Sequence, residues 1–473
     1  MARFSERRGI GRLAGAAERK GSATEYTRRR LGLRRSPASP CRRHGSCRSC
    51  RFCASFGTWR DGQFVHRIAG GNLGLRQQIE SPAARRRSPA PPMTYQLRIL
   101  RSTNDLRDAA AKWDRLWRAS DSTMPIAQSE LLLQWIERFA PRGRLEFYVA
   151  EQGERFVAAL PLVASDKSPW ISYGTLPGNE WSPAGDFLLD PTADAELAAQ
   201  TIAKGICGSG FGLVWMQGIP YLASRWSLLL EALEQQGVPS HRQFSYNVGL
   251  VPTCSDWDTF NSKISKKRLR TLARRWRQLT EIGTLRLRIE TNLAPDEVGR
   301  DLFEGIEIED RGWKGREGTS VLKSPGMMEF FYRQAKLLAK AGNLIMVTLE
   351  LDRKPIAFEY GFLAKGHYHS LKIGYDEAYA PYSPGQVRTW LMLEEMCRRP
   401  ELQYLDGMGP RSEAFAIWPG TTYEAGRIVF APGGALGRTA LYGYKNVWPA
   451  LRKFSGREPV AVATEPAEEM SDA

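Results

Sequence analysis

One pattern is used twice in this chain, and that repetition constrains the fold more than any single motif. Glu146–Ala164 reads EFYVAEQGERFVAALPLVA, and Ile345–Ala364 reads IMVTLELDRKPIAFEYGFLA. Setting Glu151 against Glu350 also aligns Gly153 with Asp352, Val157 with Ile356 and Ala158 with Ala357. Each segment has the form of a β-hairpin: an alternating strand, a polar turn and a second strand. The flanks repeat in the same order. Upstream, PIAQSELLLQWIERFAPRG and PGMMEFFYRQAKLLAKAGN have helical apolar spacing and close on a glycine-containing turn. Downstream, Gly174 and Trp181-Ser182-Pro183 answer Gly374 and Tyr382-Ser383-Pro384, and LVWMQGIP answers LQYLDGMGP. Four matches in one order predict a duplicated α/β unit.

The copies differ after the Ser-Pro pair. The first continues AGDFLLDP, which reads as a strand. The second continues GQVRTWLMLEEMC, with Val387, Trp390, Leu391 and Cys397 close to helical spacing. There Ser383 suits an N-cap, Pro384 the first helical position and Gln386 the third position of a capping box. Gly385 would keep the helix entrance clear of side chain, so a phosphate could reach the free backbone N–H groups. The first copy is expected to be scaffold and the second to keep the anion-binding end.

Charge narrows the function classes. The formal charge is +16, but residues 1–92 hold 21 of the 67 basic residues and 5 of the 51 acidic ones, so they carry all of it. That Arg-rich leader lacks apolar periodicity and is expected to be disordered. It reads as sequence upstream of a true start at Met93. Cys41, Cys47, Cys50 and Cys53, with His44 among them, crowd into thirteen residues without a second chelating arm, and no metal site is expected. Cys207, Cys254 and Cys397 read as reduced core thiols of a cytoplasmic protein. No run approaches the ~18 apolar residues of a membrane span.

The motifs RGWKGREGT (Arg311–Thr319), PIAFEYGF (Pro355–Phe362), LKIGYDEAYAPYSPG (Leu371–Gly385) and LDGMG (Leu405–Gly409) follow one another in fixed order. With the basic helix SKKRLRTLARRWRQLTEIG, they make the chain resemble the CelD-like acetyltransferases, a GNAT-superfamily branch related to the FemABX peptidyl transferases. The likeness runs roughly from Gln96 to Pro432. It implies an α/β (α+β) fold of two tandem GNAT-like domains, each a mixed, mostly antiparallel sheet flanked by helices. The expected division is a 1–92 leader, a degenerate domain over 93–250, an acyltransferase domain over 251–435, and a closing helix with a disordered tail over 436–473. The resemblance implies acetyl-CoA or another acyl-CoA as co-substrate, and acyl transfer to an amine or hydroxyl in cell-surface polysaccharide or envelope metabolism. The chain departs from the family where basic residues usually precede the tryptophan: Phe415, Ala416 and Ile417 stand ahead of Trp418.

Direct acyl transfer needs positioning, donors for a developing oxyanion and a proton acceptor. Glu359, a carboxylate between apolar neighbours in a strand, is the first candidate base, either in that role or as a structural partner of an arginine. Asp406 is the second, with ordinary Asp-Gly turn chemistry beside it. Tyr375 is the candidate proton donor, with Tyr382 beside it. Lys372, Gly374, Tyr382, Ser383, Pro384, Gly385 and Gln386 are expected at the donor, and Trp313, Lys314 and Trp418 at the acceptor. His367 and His369 read as hairpin surface residues. In the basic helix, Leu269, Leu272, Trp276 and Leu279 form a docking stripe that turns Lys266, Lys267, Arg270, Arg274 and Arg277 outward. Such a face suits the CoA 3′-phosphate, an anionic glycan, a lipid phosphate or tRNA. Two rival functions follow: a FemABX-like transferase using aminoacyl-tRNA, and a non-catalytic GNAT-fold binding module.

Overall fold

The computed structural model describes residues 94–447 except 166, 167, 169, 254 and 255. The leader, its four cysteines, Cys254 and the tail past Val447 lie outside the described residues.

The described strands are β1 (Gln96–Leu100), β2 (Leu145–Gln152), β3 (Arg155–Ser165), β4 (Tyr173–Thr175), β5 (Leu188–Leu189), β6 (Leu213–Ile219) and β7 (Ser240–Pro252). The second series is β8 (Leu285–Glu290), β9 (Leu344–Leu351), β10 (Lys354–Ala364), β11 (His367–Tyr375), β12 (Tyr404–Pro410) and β13 (Thr421–Phe430). They form one sheet in the order β1-β2-β3-β4-β6-β13-β7-β12-β11-β10-β9-β8, with β5 beside β3. The order reads the same from both ends, as the duplicated sequence requires. In each copy an outer strand precedes the repeated hairpin, and the copy ends in a parallel pair, β4 with β6 and β11 with β12.

The copies exchange their closing strands. β7 follows β6 in the chain but pairs antiparallel with β12, and β13 follows β12 but pairs with β6. β7 and β13 then pair with each other from Thr421 opposite Leu250 to Phe430 opposite Ser240. Neither copy therefore completes its sheet from its own residues alone.

Local sequence explains the hairpins. The β2–β3 turn uses Gly153 at φ 58°, and the β9–β10 turn uses Asp352 and Arg353 at φ 48° and 67°. Aspartate tolerates this left-handed region, and here its Oδ1 also accepts from the Thr284 N–H at 2.8 Å. Each hairpin is covered by its upstream helix, Ser129–Phe139 in one copy and Met327–Lys340 in the other. Those helices meet in a core shared by both copies. Phe139 packs edge-on to Phe330 at 5.0 Å, and Gln134 Nε2 donates to the Phe330 carbonyl at 2.8 Å. The β10–β11 turn is latched to the first copy as well. Lys365 Nζ donates to the carbonyls of Trp117, Ser120 and Ser122 at 2.5–2.7 Å, where the helix Ala110–Ala119 ends.

The exchange has a measurable consequence. A fragment of residues 94–252 leaves β6 and β7 without the strand that joins them, and it exposes the shared core. It should show no cooperative thermal transition by circular dichroism, while the full chain does. A sharp transition in the fragment would mean that the first copy closes without β13.

Candidate active site

The cleft forms where two strands part. β11 and β12 pair in parallel only through His367–Tyr404, Tyr368–Leu405 and His369–Asp406. Beyond that point β12 bulges away from β7 and rejoins it only at Pro410, opposite Val248, whereas β11 stays with β10. The register of β10 against β11 shifts at Tyr360 and Gly361, which leaves Leu371 as the extra residue of a bulge. A bulge bends its strand, and this one lies where the separation begins. From Ser370 onward, β11 has no ladder partner on its β12 side.

A network of buried polar groups holds the branch point. Asp406 accepts from the Met408 N–H at 2.8 Å and from the Tyr423 hydroxyl at 3.1 Å. His369 Nδ1 lies 3.4 Å from Asp406, and its Nε2 is 3.1 Å from the Thr123 carbonyl of the first copy. Burial, then the Asp406 charge, pushes the Tyr423 hydroxyl far above its ordinary range. The expectation that His367 and His369 are surface residues needs correcting: His369 is 1% exposed, and half-buried His367 stacks on Tyr404 at 4.8 Å. Their alternation with apolar neighbours does not betray this, because the covering residues, Tyr404 for His367 and Thr123 of the first copy for His369, are distant in sequence.

A cavity of about 150 Å³ fills the opened space. β11 contributes Ser370, Ile373, Gly374 and Tyr375, and the helix Pro384–Cys397 contributes Gly385, Gln386, Arg388 and Thr389. Glu359 and Leu405 also line it, as do Trp313 and Lys314 on one lip and Phe415 and Trp418 on the other. Of the residues singled out in the sequence, Glu359, Tyr375, Gly374, Gly385, Gln386, Trp313, Lys314 and Trp418 therefore meet at one place. Asp406, Lys372, Tyr382, Ser383 and Pro384 do not line the cavity. Asp406 is held in the branch-point network, and the Lys372 ammonium sits 4.7 Å over Trp181 and 5.2 Å over Phe331.

The helix begins at Pro384 as expected, but the capping box does not form. Ser383 adopts φ 47°, ψ 57°, and its side chain makes no capping bond. The short 3-10 turn Glu377–Tyr382 enters the helix through this left-handed residue, which carries the hydroxyl away from the first-turn amides. Gln386 spends its Nε2 on the Ala414 carbonyl at 3.1 Å. The first-turn N–H groups thus lack a side-chain cap, which leaves more room for an external anion than the sequence implied. Within RGWKGREGT, Trp313–Arg316 is a single helical turn. Its Gly315 is required, since a Cβ there would fall 1.7 Å from the Asp310 carbonyl oxygen.

Three charged pairs stand at the cavity; the sequence offered an arginine partner for Glu359 without naming it and did not show the other two. Arg388 pairs with Glu359, and both are at least 95% buried; Arg388 Nη1 also donates to the Phe358 carbonyl at 2.7 Å. Lys314 pairs with buried Glu309 at 3.3 Å, and Arg316 clasps Glu377 through both oxygens. An arginine among the apolar positions of VRTWLML was the available signal for Arg388. Burial, then the Glu359 charge, raises the Tyr368 hydroxyl well above its ordinary range. Gln386 Oε1 and Arg388 Nε are buried with no hydrogen-bond partner. Phe415, which stands where the family usually carries a basic residue, seats its ring between Gly249 and Gly407. A Cβ on those glycines would approach the ring to 2.3 and 3.1 Å. Among the described residues no cluster of His, Cys, Asp and Glu could hold a metal, and no helix is long and apolar enough to cross a membrane.

The model of the acetyltransferase (GNAT) domain family matches residues 66–175 and 266–418, together more than half of the chain. The chain belongs to that family. The GNAT assignment agrees with the parted parallel strands and the helix end beside them, and it makes the protein an acyltransferase with tandem GNAT domains. Nothing among curated proteins matches it. Solved structures similar in outline include FemX, at 9% identity and TM-score 0.47, covering 68% of this chain and 95% of that one. A conserved protein of unknown function from Bacteroides thetaiotaomicron VPI-5482 shows 12% identity and TM-score 0.45, covering 72% and 100%. A tandem GNAT protein from the clavulanic acid biosynthesis pathway shows 12% and 0.41, also covering 72% and 100%.

The buried pair sets the prediction for this site. Arg388→Met strands the Glu359 carboxylate in the core and should cost about 3–5 kcal/mol in guanidinium unfolding. Arg388→Met with Glu359→Leu should regain most of that loss. A single variant as stable as wild type would show that water reaches Glu359 freely.

Proposed function

We propose that the chain is an acyl-CoA-dependent N- or O-acyltransferase of the CelD-like kind. Its acceptor would be an amine or hydroxyl of cell-surface polysaccharide or envelope metabolism, and it would act from the cytoplasm. The observation that carries this reading is the uncapped helix end at Pro384–Gln386, opening onto a cavity beside an unpaired edge of β11. The fit to a CoA donor rests on two features. The helix end supplies N–H groups and a positive dipole for a pyrophosphate, and Gln386 Oε1, a buried acceptor without a partner, would suit an amide N–H of the donor's pantetheine arm. A bound thioester would supply the activated acyl group.

The remaining roles belong to this chain's own residues. The free edge around Gly374 directs backbone N–H groups at the developing oxyanion. Glu359 takes the proton of the attacking amine or hydroxyl, and Arg388 holds its carboxylate in place. Tyr375, on the cavity wall, returns a proton to the leaving thiolate. Trp313, Lys314 and Trp418 form the acceptor end. Gly374 is needed for packing too, since a Cβ there would stand 3.1 Å from the Glu309 backbone.

The exposed basic helix favours one rival, a FemABX-like transfer from aminoacyl-tRNA. Calorimetric titration of acetyl-CoA against filter binding of charged tRNA separates the two. On the acyl-CoA reading, Gly385→Glu places bulk and negative charge at the helix end. The fold should hold, because an acid near a helix N-terminus stabilises it by about 0.3–1 kcal/mol. Acetyl-CoA affinity should fall about ten- to a hundredfold, the worth of one lost hydrogen bond to a charged acceptor. Equal affinity in two folded proteins would put the phosphate site elsewhere.

A further inference from the structure

The strand β12 has a gap on each side. Toward β11 lies the fork that opens the cavity. Toward β7 the ladder breaks between Asp406 and Pro410, which stand opposite Leu250 and Val248, so Gly407, Met408 and Gly409 pass Gly249 without a ladder bond to β7. The first gap is open, whereas the second is filled: the Phe415 ring stands against Gly249 on β7 and Gly407 on β12, where neither glycine has room for a Cβ.

The ring is held from three sides. Phe415 belongs to the short helix Glu413–Ala416, whose N-cap Ser412 accepts from the Phe415 N–H at 3.2 Å. Gln386 Nε2 donates to the carbonyl of the preceding Ala414 at 3.1 Å, which ties this turn to the start of the helix Pro384–Cys397. The side chain packs against the apolar cluster that includes Leu405 and Val251. A ring fixed in this way is a wall of the cavity rather than a flap over it.

Strand register shows which part of the cavity it ends. Residues opposite one another in a ladder share a face, and so do residues an even number of steps apart on one strand. Ile373 stands opposite Glu359, Leu363 opposite Tyr368, and Tyr368 opposite Leu405. Glu359 and Leu363 lie on one face of β10, so Ile373, Glu359 and Leu405 all look toward the helix that carries Arg388. Gly374 looks the other way, toward Glu309 and the lip with Trp313 and Lys314. The free edge of β11 thus divides the cavity. The half beneath the helix has Ile373, Leu405 and Phe415 as apolar walls, and its charges, Glu359 and Arg388, satisfy each other. An alkyl group loses no polar contact by lying there. The half bounded by Glu309, Lys314 and Glu377 suits a polar acceptor instead.

Resting on the acyl-CoA reading above, we propose that Phe415 sets the acyl length: its ring, seated in the gap between β12 and β7, stops the acyl chain and restricts the donor to short groups such as acetyl. Size agrees with this assignment. A cavity of about 150 Å³ has the room of a site that takes a benzene-sized guest. An acetyl thioester with the first carbons of its cysteamine arm is of that size, and an octanoyl thioester is not. Phe415→Ala would let the apolar half run on into the gap, and the phenyl ring it removes has as many carbons as octanoyl has beyond acetyl.

The test is calorimetric titration of the full chain with acetyl-CoA and with octanoyl-CoA, for wild type, Phe415→Leu and Phe415→Ala, with a melting curve of each. Wild type should bind acetyl-CoA at least about tenfold more tightly, the cost of forcing methylenes against a filled wall. That ratio should shrink in Phe415→Leu and invert in Phe415→Ala. Equal or tighter wild-type binding of octanoyl-CoA overturns the acyl-length assignment and leaves the acyl-CoA reading standing. A preference that both variants retain also overturns it, because the stop would then lie elsewhere. If Phe415→Ala melts below the temperature of titration, the ratio in Phe415→Leu, which keeps most of the apolar bulk, decides alone. Binding of neither donor by wild type removes the acyl-CoA reading itself, and the acyl-length assignment falls with it.

Discussion

The separation of β11 from β12 is the constraint on which the site depends. Two adjacent strands normally satisfy each other's backbone groups, and opening them forfeits those bonds. The molecule holds them open by giving each strand a different neighbour. β12 pairs with β7, a strand from the other copy, up to Asp406 and again at Pro410, and β11 pairs with β10, with the Leu371 bulge bending it away. Asp406 fixes the fork, because one carboxylate joins β12 to Tyr423 on β13 and to His369 on β11. The Met408 N–H and the Tyr423 hydroxyl carry the tie, because His369 Nδ1 lies 3.4 Å from the carboxylate without a hydrogen bond.

Burial of charge follows from the same geometry. Once β11 and β12 part, the face of β10 behind them looks into the cavity, and Glu359 stands on that face. A lone carboxylate there would be expensive. Arg388, one turn inside the helix whose open end lines the cavity, supplies the opposite charge. The element that would hold the donor phosphate thus also holds the candidate base, so donor position and base position are mechanically linked through less than two turns of helix. The Lys314–Glu309 and Arg316–Glu377 pairs do the same for the lip that carries Trp313.

What the sequence discloses and what it conceals divide along one line. The duplicated hairpins, the two covering helices and the helix start at Pro384 are legible because each rests on short-range periodicity or on proline and glycine chemistry. Eight residues of the cavity wall, Glu359 and Gly385 among them, are legible for similar local reasons. The exchange of β7 and β13 is not, because strand partners far apart in sequence leave no mark on local pattern. The same blindness explains His369, whose burying neighbour Thr123 is some 240 residues away, and Ser383, whose left-handed turn is imposed by the 3-10 segment before it. Arg388 lies between these cases: an arginine at a buried helical position implies an acid nearby without saying which.

The copies have diverged in a way that makes the first one necessary. Its Ser-Pro-Ala segment does not start a helix; Ser182 and Ala184 are buried, and Ala184 and Gly185 both donate to the Pro177 carbonyl in a closed turn. Just past that turn Asp186 pairs with Arg225, which also binds Asp121. Yet this copy builds the other's site. Gly249 on β7 receives the Phe415 ring that walls the cavity, and Trp181, the counterpart of Tyr382, lies beneath the Lys372 ammonium. Thr123 anchors the histidine at the fork. A single GNAT unit would have to close its own sheet with its own last strand. Exchanging that strand lets the first copy serve as the rear wall of the second copy's cleft, so each fold is completed by the other.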